Sequence, residues 1–146
     1  MKKSFKILFC VFVMSVLSAG FYYYNNHLFT WEAKVHWSQE PFDASRFKNG
    51  SMEERAKMAA SLITGRYLLG MNADEVSYVL GEETGDYYKS DSNLTYRLTN
   101  KGNADWILTL TADDNGKICQ VFIRKSCCSV SRRAADFVLG VLFEGF

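Results

Sequence analysis

The chain has one proline and two histidines in 146 residues, and only three of its four cysteines lie beyond the N-terminal segment. Each scarcity excludes something. His27 and His36 stand in no metal-ligand spacing, and Cys127-Cys128 lacks the C-x-x-C interval that zinc or a redox pair needs. No G-x-S-x-G elbow, phosphate-binding loop or H-E-x-x-H helix occurs. The acidic pairs Glu82-Glu83 and Asp113-Asp114 fall in loop and turn segments, where water solvates them. The sequence points away from catalysis, and it calls for no cofactor and no metal. In an oxidising compartment Cys119 can pair with Cys127 or Cys128, leaving one thiol over; buried, inert thiols are the other reading.

Excess charge is also missing. Three of the 17 basic residues, Lys2, Lys3 and Lys6, precede an apolar segment, and the other 14 face 16 acidic residues, a net charge of −2. A nearly neutral domain offers nucleic acid little of the phosphate neutralisation that drives its binding. The basic group Arg124, Lys125, Arg132 and Arg133 reads as a solvated face or as a small headgroup or partner contact.

What is present is apolar: 48% of residues are hydrophobic and 15% aromatic, enough for one compact domain plus an added segment. Residues 1–24 form that segment, with Ile7 to Tyr24 free of charge and about long enough to span a bilayer. Ser18-Ala19-Gly20 suits signal-peptide cleavage, whereas Phe21-Tyr22-Tyr23-Tyr24 suits the aromatic belt of an uncleaved anchor with its lysines in the cytoplasm. Either fate places the domain outside the cytoplasm. The segment would be an inner-membrane anchor for a periplasmic domain, or its removal would leave a periplasmic protein.

Residues 25–50 read as an extended aromatic arm. Trp31, Ala33, Val35 and Trp37 alternate with polar residues like a half-buried edge strand; the aromatic residues of the segment either pack onto the domain or leave some exposed for contact, with Trp31, Trp37, Phe42 and Phe47 as candidate partner contacts. Ser51 and Glu54 form a capping box that opens an amphipathic helix through Ala56, Ala59, Ala60, Ile63 and Tyr67. Leu68-Leu69-Gly70 leads straight to a second one. Met71 can staple onto Val76, Asn72 caps with Glu75, Val76, Val79 and Leu80 share a side, and Gly81 stops the turn.

Three strands follow. Leu94 to Leu98, Trp106 to Ala112 and Lys117 to Arg124 alternate, with Trp106, Leu108 and Leu110 on one face and Cys119, Val121 and Ile123 opposed to Ile118 and Phe122. Asn115-Gly116 marks the last hairpin, since both residues tolerate positive φ. The expected fold is α+β: two helices packed on a three-stranded antiparallel meander over residues 51–124. Residues 125–146 form an apolar tail with a helix from Ser131, packed on the free side of the sheet or on a partner.

Several of these residues form a familiar set. Arg55 and Met58, Leu68-Leu69-Gly70-Met71, Glu75-Val76, Leu80-Gly81, Tyr96-Arg97-Leu98, Trp106-Ile107-Leu108 and Gly116-Lys117-Ile118 together resemble the BamE/SmpA/OmlA-like group of small bacterial envelope proteins. That resemblance implies an α-α-β-β-β domain and a non-enzymatic accessory role in outer-membrane protein assembly; the same fold type recurs in inhibitors that act by surface binding. The family's assembly members are acylated on a cysteine after the signal core. Here Phe21 follows Leu17-Ser18-Ala19-Gly20, and Cys10 has bulky Phe9 before it, so no lipid anchor is expected. The expectation is a membrane-tethered interaction or assembly-accessory module that contacts another envelope protein through a sheet edge, loop or tail. The alternative is an inhibitor or immunity-type protein that blocks an enzyme or toxin.

Overall fold

A computed structural model describes residues 2–85, 93–99 and 105–126. It is an α+β structure in which five helices precede most of one antiparallel sheet. Helix α1, Lys2–Asn26, is 25 residues long, about 37 Å at 1.5 Å per residue. Its side chains from Ile7 to Leu17 stay largely clear of the protein. It runs two residues past the expected boundary, and Asn26 Nδ2 donates to the Tyr22 carbonyl at 2.9 Å in its last turn.

The next two residues correct the expected meander. His27–Leu28 form a short strand, β1, paired with Arg124 and Ile123, so the sheet has four strands in the order β1-β4-β3-β2. The other strands are β2 (Asn93–Thr99), β3 (Trp106–Ala112) and β4 (Ile118–Lys125). Two residues carry no period, which is why β1 leaves no trace in the sequence pattern.

The expected aromatic arm is also corrected. Thr30–Trp37 is a helix, α2, in place of an edge strand, and Glu32 opens it by accepting from the Phe29 amide at 3.0 Å. Ala44–Asn49 forms α3, capped by Asp43, whose Oδ1 accepts from Arg46 N at 2.9 Å. Between them Glu40 is fastened to the following helix: its amide donates to the Lys57 carbonyl at 3.1 Å, and its carbonyl accepts from Ser61 Oγ. The segment is integral to the domain.

Helix α4, Met52–Gly65, begins as expected, with Ser51 N donating to Glu54 Oε2 at 2.8 Å and Glu54 N to Ser51 Oγ at 3.3 Å. It stops two residues short of Tyr67 because Arg66 takes a left-handed φ of 54°. Tyr67 therefore leaves the stripe and stacks on Phe42, with ring centroids 5.3 Å apart. Helix α5, Ala73–Leu80, has the expected box: Asn72 N donates to Glu75 Oε2 at 2.7 Å and Glu75 N to Asn72 Oδ1 at 2.9 Å. The Asn72 amide, then Lys117 3.6 Å away, holds the Glu75 carboxyl below its ordinary pKa. Gly81 has the positive φ expected, 89°, but its ψ of −172° is outside the left-handed helical well. Replacing Asn72 by alanine should cost about 0.5–2 kcal/mol, the usual worth of such a cap, measured by urea unfolding of the full chain in detergent.

The core joins four helices, in place of two, to one face of the sheet. Ala33 of α2, Phe47 of α3, Ala56, Met58, Ala59, Ala60 and Leu62 of α4, and Val76 and Leu80 of α5 meet Tyr96, Leu98, Leu108, Leu110, Ile118 and Ile123. Ile118 belongs to this face against the simple alternation. The β3–β4 register shifts between Thr111↔Gln120 and Ala112↔Ile118, and the extra residue, Cys119, is pushed out as a bulge. The adjoining turn differs too. Only Gly116 has positive φ, 72°, while Asp113 Oδ1 accepts from the amides of Asn115 and Lys117, both at 2.9 Å. Those bonds lower the Asp113 pKa, that from Lys117 first.

Backbone bonds tie the helices to the sheet margins. Gly70 N donates to the Ile118 carbonyl and Ile118 N to the Met71 carbonyl, each at 2.8 Å, and Gly70 takes φ of 83° there. On the β2 side, Thr84 N donates to the Thr95 carbonyl at 3.0 Å, and Thr84 Oγ1 accepts from Arg97 N at 2.7 Å. The expected tail helix lies outside the described residues, as do Cys127, Cys128, Arg132 and Arg133.

Candidate interaction surface

The four aromatic residues expected at a partner surface have separate fates. Phe47 is completely buried; its ring meets Tyr96 edge-on at 6.3 Å, and the Arg55 guanidinium lies 5.7 Å from its centroid. Arg55 also closes the end of α3, donating from Nε to the Phe47 carbonyl at 2.8 Å and from its terminal nitrogen to that of Lys48 at 3.1 Å. Phe47 is thus corrected from contact residue to core residue. Phe42 sits half-buried between Phe47 and Tyr67. Trp37 is half-buried edge-on against Trp106 at 6.3 Å, and the Lys125 ammonium covers Trp106 from 5.5 Å. Burial lowers the Lys125 pKa. Of the four only Trp31 is free surface, 63% exposed.

Helical geometry explains the split. At 100° per residue, Ala33 and Trp37 fall on the side of α2 that packs inward, and Trp31 and Val35 fall on roughly the opposite side. Val35 is 77% exposed. Phe29, just before α2, adds a third partly exposed apolar side chain. Its ring lies 6.3 Å from Tyr23 and 6.4 Å from Tyr24, in the last turns of α1. There Tyr23 stacks on His27 at 4.0 Å, and His27 meets Phe122 of β4 at 5.4 Å.

Two concavities accompany these features. A cleft of about 280 Å³ is lined by His36, Trp37, Ser38, Glu53, Lys57 and Thr99 at the end of α2. Its ionisable groups are of mixed sign. An open, mainly apolar groove of about 460 Å³ runs along α5, lined by Met71, Asp74, Glu75, Tyr78 and Val79. Tyr78 is 83% exposed with the Lys48 ammonium 5.9 Å from its ring, and sequence reasoning missed it because it lies off the apolar stripe of α5. Among the described residues no three His, Cys, Asp or Glu side chains converge as metal ligands. Cys119 is an exposed free thiol directed at the Thr111 carbonyl, 3.3 Å away. Arg124 turns from solvent to donate to Thr109 Oγ1 at 3.0 Å.

The arrangement suits docking through exposed aromatic and aliphatic side chains. No family model, curated protein or solved structure matches the chain.

Proposed function

We propose that the protein is a non-enzymatic interaction or assembly-accessory module of the bacterial cell envelope, held by α1 in the cytoplasmic membrane with its domain on the outer side. One observation carries the reading. Within Lys6–Asn26 the apolar 18-residue window has a mean hydropathy of 1.9 and none of it is buried in the protein, so an uncleaved chain outside a membrane would leave about 27 Å of apolar helix in water. The BamE-like arrangement of two capped helices followed by three antiparallel strands is part of the same proposal, supported by the order α4, α5, β2, β3, β4. The partner is another envelope protein, and the α5 groove with Tyr78 is the docking surface that faces away from the core.

An inhibitor or immunity-type role is the second class of reading. An exposed aromatic arm and a small size would suit it, and the packing of Phe47, Phe42 and Trp37 onto the domain weakens the first of these.

A photo-crosslinking amino acid at Tyr78, in the full chain in native membranes, should yield one dominant adduct with a membrane or periplasmic protein. The same probe at Asp114, in the β3–β4 turn, should not. Equal adduct patterns from both positions, or none from Tyr78, would refute docking at the groove.

A further inference from the structure

We infer that α2 lies in the interfacial layer of the bilayer that α1 enters, with Phe29, Trp31 and Val35 against lipid. The inference rests on the proposal that α1 is a membrane helix and adds a second, peripheral contact to it. Three observations converge. First, only residues 27–29 separate α1 from α2, and four extended steps from Asn26 to Thr30 cover at most about 14 Å. Second, the connection doubles back. The Phe29 ring rests within 6.4 Å of both Tyr23 and Tyr24, so its depth is tied to the aromatic end of α1, and β1 locks the same turn to β4 through His27↔Arg124 and Leu28↔Ile123. Third, the face of α2 that turns from the domain is apolar where it is most exposed, at Trp31 and Val35, while Glu32, Lys34 and His36 border it.

A tryptophan and an aliphatic residue one helical turn apart, next to a tyrosine-rich helix end, match what the headgroup boundary selects. Indole and phenol rings are favoured there, and because Ala33 and Trp37 on the opposite side of α2 are already taken up by the domain, Trp31 and Val35 are left to face the acyl chains. A protein partner would need no such proximity to α1. The geometry therefore favours phospholipid over a protein as occupant.

The test uses the full chain in vesicles of phosphatidylcholine and phosphatidylglycerol, with phospholipids brominated near the headgroup end of the acyl chain as quenchers. Trp31 is compared with a Trp31→Phe variant, which alters an exposed side chain and leaves the core intact. Expected is clear quenching of the wild-type emission by the brominated lipid, with more than half of the quenchable component lost in W31F. A chain carrying Trp37→Phe and Trp106→Phe, in which Trp31 is the sole tryptophan, should show blue-shifted emission and weak quenching by aqueous acrylamide. Acrylamide quenching of Trp31 without lipid quenching, while alkaline carbonate fails to extract the protein, overturns the α2 contact and leaves the membrane reading standing. Extraction by carbonate overturns both.

Discussion

Phe47→Ala should destabilise the domain by about 3–5 kcal/mol, the usual cost of emptying a buried aromatic site. Phe47 is fully enclosed, and its ring touches two elements besides its own: Tyr96 in β2 and Arg55 in α4. Six-residue α3 is too short to hold its shape alone, so it depends on that ring together with the Arg55 bonds to its last carbonyls. Against a typical total of about 5–15 kcal/mol, the loss would bring the domain close to unfolding. Trp31→Ala is the matched control. Both are aromatic residues of the 25–50 segment, but the exposed one should change stability by no more than about 0.5 kcal/mol. Urea unfolding of the full chain in detergent, followed by far-UV circular dichroism, measures both. Equal, small losses would mean that Phe47 is a surface residue after all.

A second large effect belongs to Tyr96. Its side chain is fully buried, its hydroxyl donates to the Gly81 carbonyl at 3.1 Å, and burial raises its pKa to about 12 from 10.0. The folded state then holds the phenolic proton more tightly than the unfolded chain. The stability linked to this group is fully present below pH 10 and is lost as pH rises toward 12. Two pKa units correspond to about 2.7 kcal/mol. Tyr96→Phe lacks the group and so escapes the loss, although at neutral pH it forfeits about 1 kcal/mol with the hydrogen bond. Plots of stability against pH for the two chains should therefore cross near about pH 11, the variant being the more stable above it. The remaining tyrosines and lysines titrate in both chains and cancel in the difference. Parallel curves from pH 9 to 12 would contradict a buried phenol at position 96.

Local chemistry was readable in the sequence, and tertiary placement was readable only in part. The Ser51–Glu54 and Asn72–Glu75 boxes are set by residues three apart, so both helix starts appear in the structure as expected. The faces of β2 and β3 likewise follow from alternation, with Tyr96, Leu98, Leu108 and Leu110 all inward. Residues 31–37 failed for a geometric reason. Trp31, Ala33, Val35 and Trp37 satisfy a period of two, but each residue also has a partner four positions away, and a helix reads the same set as two pairs on opposite sides. The signal that separates the readings was Glu32, three residues after Phe29 and able to reach its amide. The bulge at Cys119 is invisible because it is imposed by the register opposite Thr111, not by the residue itself. The candidate surface suffered most. Aromatic content alone could not separate Phe47, which knits the core, from Trp31, which leaves it, and it gave no hint of Tyr78.

The bonds that Gly70, Met71 and Thr84 make to the flanks of the sheet bear on how a partner can bind. Ile118 is met by the α4–α5 connection, Ile123 and Arg124 by β1, and Thr95 and Arg97 by Thr84, so stretches of β4, on the side where two-residue β1 pairs, and of the edge strand β2 already have their hydrogen-bonding groups occupied. An incoming peptide could not extend the sheet as a further strand along those stretches without first evicting a native segment, and copies of the protein are hindered in the same way from stacking into fibrils. Along those stretches a partner of the proposed kind would be met by side chains, and its affinity should depend on shape and apolar fit more than on main-chain pairing.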